Sequence, residues 1–218
     1  MKKILFALVA VLTVFAIVRF NALQIWLLEH DYSWTMAKAL PYVAVALLGI
    51  VLAYFFAGAF KLSSKVLKVA LVTVLFALPF AVSFALNPIY EGDFSSQGTE
   101  VSSDSIVVNE KYDLLVITIP DCPYCLESIG RLKMIKKQQP EIDILFSVCT
   151  TDPGKLELYK EVIGGDFDIE VAPNPEESMK FAGGSFPAFF RVTQGNPVYH
   201  WSNNQFGAGA IDDLIGGL

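Results

Sequence analysis

Three apolar stretches crowd the first 86 residues, and they set the architecture before any other signal is read. Ile4 to Val18 carries no charge, Tyr42 to Phe60 is nineteen residues without one, and Val69 to Leu86 is eighteen. Crossing a hydrocarbon core as a helix takes roughly 20 apolar residues, so the second and third runs have the length of spans. The first reaches that length if it extends to Phe20 with Arg19 snorkelling to an interface. Spans are therefore expected over about 4–20, 42–60 and 66–86, with Pro79 marking a kink in the third. Lys2-Lys3 before an apolar run also suits a signal peptide. A small-x-small cleavage site is missing around Ala22, because Phe20 stands two residues earlier, so an uncleaved anchor is expected.

Charge divides the chain near residue 87. Residues 1–86 hold seven Lys/Arg against Glu29 and Asp31, a net of +5, whereas residues 87–218 hold nine against twenty acids, a net of −11. The acidic part argues against nucleic acid and against charge-driven binding to anionic lipid. Its 132 residues suffice for a core of their own. Lys2, Lys3, Lys61, Lys65 and Lys68 lie on one side of the expected spans. The loop between the first two spans has only Arg19 and Lys38, with Trp26, Tyr32 and Trp34 as interfacial anchors. The positive-inside rule places the N-terminus and the 61–68 loop in the cytoplasm, and three crossings leave residues 87–218 outside. For a bacterial chain that compartment is the periplasm, where dithiols can be oxidised.

Residues 87–101, with Asn87, Pro88, Gly92, Ser95, Ser96 and Gly98, read as a polar linker before a domain at 102–218. In that domain, Ser105 to Val108 suggests a short strand and Tyr112 to Ile119 a central one. Cys122 to Lys137 reads as a helix, Glu141 to Cys149 as a strand, and Pro153 to Val162 and Pro175 to Phe181 as helices. Pro187 to Val192 and Val198 to Trp201 flank Gln194-Gly195-Asn196 as a hairpin, and Ala208 to Ile215 closes as a helix. Cys122-Pro123-Tyr124-Cys125 sits where the central strand feeds a helix. The helix N-terminus supplies partial positive charge and free N–H groups, which favour a thiolate over a thiol. Two bland readings compete. A zinc site would need two more ligands, and only His200 and Cys149 are at hand outside the membrane part. A structural staple across two residues would close almost no loop. Redox chemistry is the expected role.

The order strand–helix–strand, helices, hairpin, helix resembles the thioredoxin fold: an α/β thioredoxin-like domain with a central mixed sheet flanked by helices, here preceded by three transmembrane helices. The resemblance covers roughly residues 102–218 and rests on the Cys-x-x-Cys junction, Ser185-Phe186-Pro187 before the hairpin, and the terminal helix. It implies that Cys122 is the exposed nucleophile and Cys125 the resolving thiol. It also implies that Pro187 is cis and that the Phe186 backbone pairs with an extended substrate peptide. Asp121, Pro123 and Tyr124 would tune the pair. The chain departs from thioredoxins in having Pro120-Asp121 where a tryptophan precedes the first cysteine. The Asp121 carboxylate should oppose thiolate formation. Val116 stands where thioredoxins bury a proton-shuttling acid. Pro-Tyr between the cysteines resembles glutaredoxins, but Ser-Phe-Pro replaces their Thr-Val-Pro, so glutathione dependence is not expected. The stretch from Leu40 to Leu86 resembles the paired helices of DoxX/MauE-type membrane proteins.

Cys149 has two readings. As a strand-ending hydrophobe it is inert. As a neighbour of Cys122 on one sheet edge, which a right-handed crossover requires, it is an accessory thiol. His200 and Trp201 read as sheet packing. The expected spans contain no cysteine, so they tether the domain or dock it on a separate membrane electron-transfer partner. The sequence thus points to a membrane-anchored thiol–disulfide oxidoreductase acting on extracytoplasmic protein thiols and disulfides, needing neither cofactor nor metal. A peptide-holding assembly module or redox sensor, possessing the same fold, is the alternative, as is a subunit of a membrane complex whose helices carry the function.

Overall fold

The computed structural model describes residues 1–60, 62–101 and 106–217. The chain separates into two compact units, Met1–Ile89 and Tyr90–Leu218.

The first unit is helical: α1 (Lys2–Val18), α2 (Phe20–Leu28), α3 (Trp34–Ala59) and α4 (Lys65–Leu86). Ser33 and Ser64 cap α3 and α4 by accepting N–H bonds from Met36 and Leu67 at 3.2 and 3.3 Å. Aromatic contacts tie the bundle together. Phe20 meets Tyr42 at 4.7 Å between ring centroids, Tyr42 meets Phe80 at 5.8 Å, and Phe6 meets Phe56 at 5.8 Å. The outward residues are apolar: Leu8, Val11, Phe15, Leu47, Ile50, Val74 and Leu78 are all exposed. Water would not tolerate such an exterior, whereas lipid would. Among the described residues, two helices, α3 and α4, are long and apolar enough to cross a membrane, and three segments are if the bent pair α1 and α2 counts as one.

The apolar helix expected over 4–20 ends at Val18, and the chain bends by 63° there into α2. The stretch expected as the second span, 42–60, lies almost wholly within a longer helix that starts at Trp34, where Ser33 caps it. Lys38 does not interrupt it, since its ammonium donates to the Pro88 carbonyl at 3.1 Å.

The second unit is a six-stranded mixed sheet. Its strands are β1 (Thr99–Glu100), β2 (Leu114–Thr118), β3 (Ile144–Val148), β4 (Asp168–Val171), β5 (Ala188–Thr193) and β6 (Asn196–Trp201), in spatial order β1-β6-β5-β2-β3-β4. β2, β3 and β4 are parallel, β5 runs antiparallel to β2, β6 turns back antiparallel to β5 and so shares the direction of β2, and β1 pairs antiparallel with β6. The helices are α5 (Pro123–Gln138), α6 (Leu156–Ile163), α7 (Pro175–Phe181) and α8 (Ala208–Gly216). Strand, crossover helix and parallel strand from β2 through α5 to β3 give the thioredoxin-like arrangement that the sequence resemblance implies. β2 and β3 are buried on both faces, which is why they read as unbroken apolar runs.

Alternation splits the sheet into two cores. On one face Phe146 packs against Tyr159 of α6 at 5.3 Å, and Phe189 stacks on Phe206 at 4.0 Å. On the other, Leu115, Ile117, Leu145, Cys149, Ala188 and Phe190 form one cluster, with Phe181 of α7 stacked on Phe190 at 4.6 Å. Gln194 and Gly195 join β5 to β6 in two residues, both at positive φ (51° and 76°), the backbone that a right-twisted hairpin favours.

Part of the expected linker belongs to this unit. A 3-10 turn at Glu91–Asp93 packs against α8, and Thr99–Glu100 is an edge strand. Asp93 accepts from Tyr90 and Ala208 N–H groups at 2.9 and 3.4 Å. Gly92 lies so close that a Cβ there would stand 1.8 Å from the Gln205 carbonyl oxygen. The expected strand Ser105–Val108 is not formed over 106–108, and Ser105 lies outside the described residues. β4 was not expected: Asp168-Ile169-Glu170-Val171 is an edge strand whose two acids mask its pattern. The helix expected from Pro153 begins as a 3-10 turn, Pro153–Lys155, before α6.

Candidate active site

The Cys-Pro-Tyr-Cys segment lies where β2 hands the chain to α5. Thr118 ends the strand, Ile119 and Pro120 leave the sheet, and Asp121 turns the backbone at φ 57°. Cys122 is the N-cap of α5, and Pro123 occupies the first turn, where a missing N–H costs nothing. The sulfur takes the place that a serine oxygen often fills: the Cys125 N–H donates to Cys122 Sγ at 3.2 Å. A disulfide joins Cys122 to Cys125, with 5.2 Å between their Cα atoms. Cys125 is fully buried and Cys122 is 8% exposed. That is more covered than the exposed nucleophile the resemblance implies, because the first turn of α5 and its preceding loop close around it. Tyr124, by contrast, is 62% exposed.

The register brings a second expected feature to the same sheet end. Ile117 pairs with Ala188, so Pro187 falls opposite Thr118. The Phe186–Pro187 peptide bond is cis. Pro187 is buried, and Phe186 is half-buried against the cluster around Cys149. Gly183, Gly184 and Ser185, just before it, are exposed. Val116 is fully buried, with Phe146 and Phe189 as its strand neighbours. The position of the thioredoxin carboxylate is thus filled by packing.

Cys149 does lie at the shared sheet edge, since its N–H donates to the Thr118 carbonyl at 2.8 Å. Its side chain faces inward and is 5% exposed. Burial pushes its thiol up to about 11, against a small opposing effect of a hydrogen bond with Ser178. A thiol so placed is a poor nucleophile, and the geometry gives the accessory role no support. His200 stacks on Phe190 at 4.6 Å, and burial lowers its pKa, which keeps it neutral packing.

Two residues that the sequence did not single out also reach the turn. Lys155 Nζ pairs with Asp121 Oδ2 at 2.8 Å, so the carboxylate beside Cys122 is partly neutralised. That contact raises the Lys155 pKa. Tyr159, 1% exposed, donates its hydroxyl to the Ile119 carbonyl at 2.7 Å. Burial raises the Tyr159 pKa, while the Cys122 backbone N–H acts on the same oxygen in the opposite sense. Their spacing of four residues, one helical turn, was visible in the sequence. Their target was not, because 119–122 approaches them only through the sheet.

No protein-family model matches the chain, and no curated protein matches it. Among solved structures, it is similar to a secreted disulfide oxidoreductase of Mycobacterium tuberculosis, described as homologous to E. coli DsbE. That match has 18% identity and a TM-score of 0.38, and covers 50% of this chain and 81% of the other. It is also similar to a thioredoxin-like protein from Bacteroides caccae, at 14% identity and a TM-score of 0.37, covering 82% of this chain and 83% of the other. The fold is assigned on strand order and direction within the chain itself. The resemblance of residues 40–86 to DoxX/MauE-type proteins has no counterpart in these matches.

Proposed function

We propose that this protein is a membrane-anchored thiol–disulfide oxidoreductase that exchanges disulfides with extracytoplasmic protein substrates. The observation that carries this reading is the Cys122–Cys125 disulfide spanning the N-cap and first turn of α5. In the reduced state, the α5 N-terminus and the Cys125 N–H stabilise a Cys122 thiolate. That thiolate attacks a substrate disulfide, forming a mixed disulfide and releasing one substrate thiolate, which takes up a proton. Cys125 then attacks Cys122 Sγ, freeing the second substrate thiol and closing the Cys122–Cys125 bond. Two electrons pass to the substrate, and the reverse sequence oxidises a dithiol. The substrate peptide lies along the Phe186–Pro187 backbone, and exposed Tyr124 borders it. The potential of the couple against its partner sets the direction. A separate membrane electron-transfer protein returns the couple to its working state.

The apolar helices anchor the chain in the inner membrane, with the N-terminus cytoplasmic and the second unit periplasmic. This orientation requires α1 and α2 to make one crossing together. The full chain in detergent, assayed for insulin reduction and dithiol oxidation beside Cys122→Ser, tests the activity. Thiol-dependent turnover that the variant loses supports it. Turnover equal in both, or thiol-independent peptide holding alone, refutes it and favours a binding module.

A further inference from the structure

The turn that carries Cys122 is anchored from outside its own strand and helix. Both anchors come from the α6 region. Tyr159 donates to the Ile119 carbonyl at 2.7 Å, at the start of the turn. Its ring is held in place against Phe146 at 5.3 Å. Lys155, one helical turn earlier, grips Asp121 at 2.8 Å, at the residue whose φ is 57°. A non-glycine residue at positive φ is an uncommon and costly conformation. Both partners therefore fasten the part of the chain least able to hold its own shape. Asp152 also acts on Lys155, in the same sense as Asp121.

We propose that Tyr159 and Lys155 are positioning residues of the disulfide site: together they hold residues 119–122 so that Cys122 stays at the N-cap of α5, and Lys155 offsets the Asp121 charge beside it. The proposal rests on the oxidoreductase reading above. Neither residue touches the substrate. Tyr159 fixes geometry, because without its hydroxyl the Ile119 carbonyl loses its donor and the turn is free to swing Sγ away from the Cys125 N–H. Lys155 acts on charge, because removing it leaves a carboxylate one residue from the nascent thiolate.

The test uses the reduced full chain in detergent. Alkylation of Cys122 is followed by peptide mass spectrometry across pH 5–10, and the potential of the couple is measured in a glutathione buffer. Tyr159→Phe keeps the ring and removes the hydroxyl. Its Cys122 should alkylate about threefold to tenfold more slowly at neutral pH, with a higher midpoint, since thiolate fraction changes about tenfold per pKa unit. Lys155→Met, at an exposed position, should slow it about threefold at low salt and less at high salt. Adding Asp121→Asn to Lys155→Met should return the rate to within about twofold of the parent. Profiles and potentials that coincide with the parent in both single variants overturn the proposal, even if the melting temperature falls, since that pattern marks a purely structural contact. If Cys122 of the parent protein itself titrates as an ordinary thiol, the oxidoreductase reading falls instead.

Discussion

Once the disulfide is reduced, the folded protein holds three thiols, and the structure separates Cys149 from the other two in reactivity. Cys149 is 5% exposed and its thiol is raised by burial from 9.0 to about 11. At pH 8 a thiol of pKa 9.0 is roughly one-tenth thiolate and one of about 11 roughly one-thousandth, so ionisation alone slows Cys149 about a hundredfold. Burial slows it further. The shift also has a stability consequence. The unfolded chain gives up the proton near 9, while the folded protein keeps it until about 11. Stability is therefore intact below pH 9 and falls as pH rises through this window, by up to about 2.7 kcal/mol. Cys149→Ser should remove that slope and leave turnover and potential unchanged. The assay is a timed iodoacetamide pulse on reduced full-length protein from pH 7 to 11, with peptide mass spectrometry and circular dichroism at each point. If Cys149 in folded protein reacts within tenfold of Cys122 at pH 8, or if Cys149→Ser shifts the potential, the reasoning from burial is wrong.

Four further outcomes are expected. Cys125→Ser should accumulate mixed disulfides through Cys122 that reductant releases, visible as shifted bands on non-reducing gels, because the resolving step is lost. Gly92→Ala should destabilise the second unit by about 2 kcal/mol or more in urea-dependent pulse proteolysis, since the methyl meets backbone at Gln205 and Gly207 that cannot move aside. Phe189→Ala, which removes a fully buried ring stacked at 4.0 Å on Phe206, should cost about 3–5 kcal/mol in the same measurement. In intact cells, a membrane-impermeant maleimide should label reduced Cys122 without permeabilisation, and labelling only after permeabilisation would reverse the orientation argued from Lys2, Lys3, Lys61, Lys65 and Lys68.

Periodicity and punctuation carry information over a few residues, and that is the range over which the sequence was decisive. The apolar runs that became α3 and α4, the doubly buried β2 and β3, the α7 helix at Pro175–Phe181 and a hairpin turn within Gln194-Gly195-Asn196 could all be read directly, although Asn196 proved to open β6. So could Cys122 at a helix start, because a strand-like run, a proline and a helix-forming run follow one another without a gap. The bend at Arg19, the edge strands β1 and β4, and the docking of Gly92 against Gln205 could not. Each depends on a partner distant in sequence, and edge strands with exposed acids lack the alternation that marks buried ones. The site divides in the same way. Its sulfur chemistry belongs to four consecutive residues and their helix. Whether the Asp121 charge opposes that chemistry depends on Lys155, 34 residues away, and whether Cys149 joins it depends on burial by Ala172, Ala182 and Ala188. Local hydrogen bonding and hydropathy are written in neighbouring residues, whereas electrostatic screening and desolvation come from whatever the folded chain brings alongside.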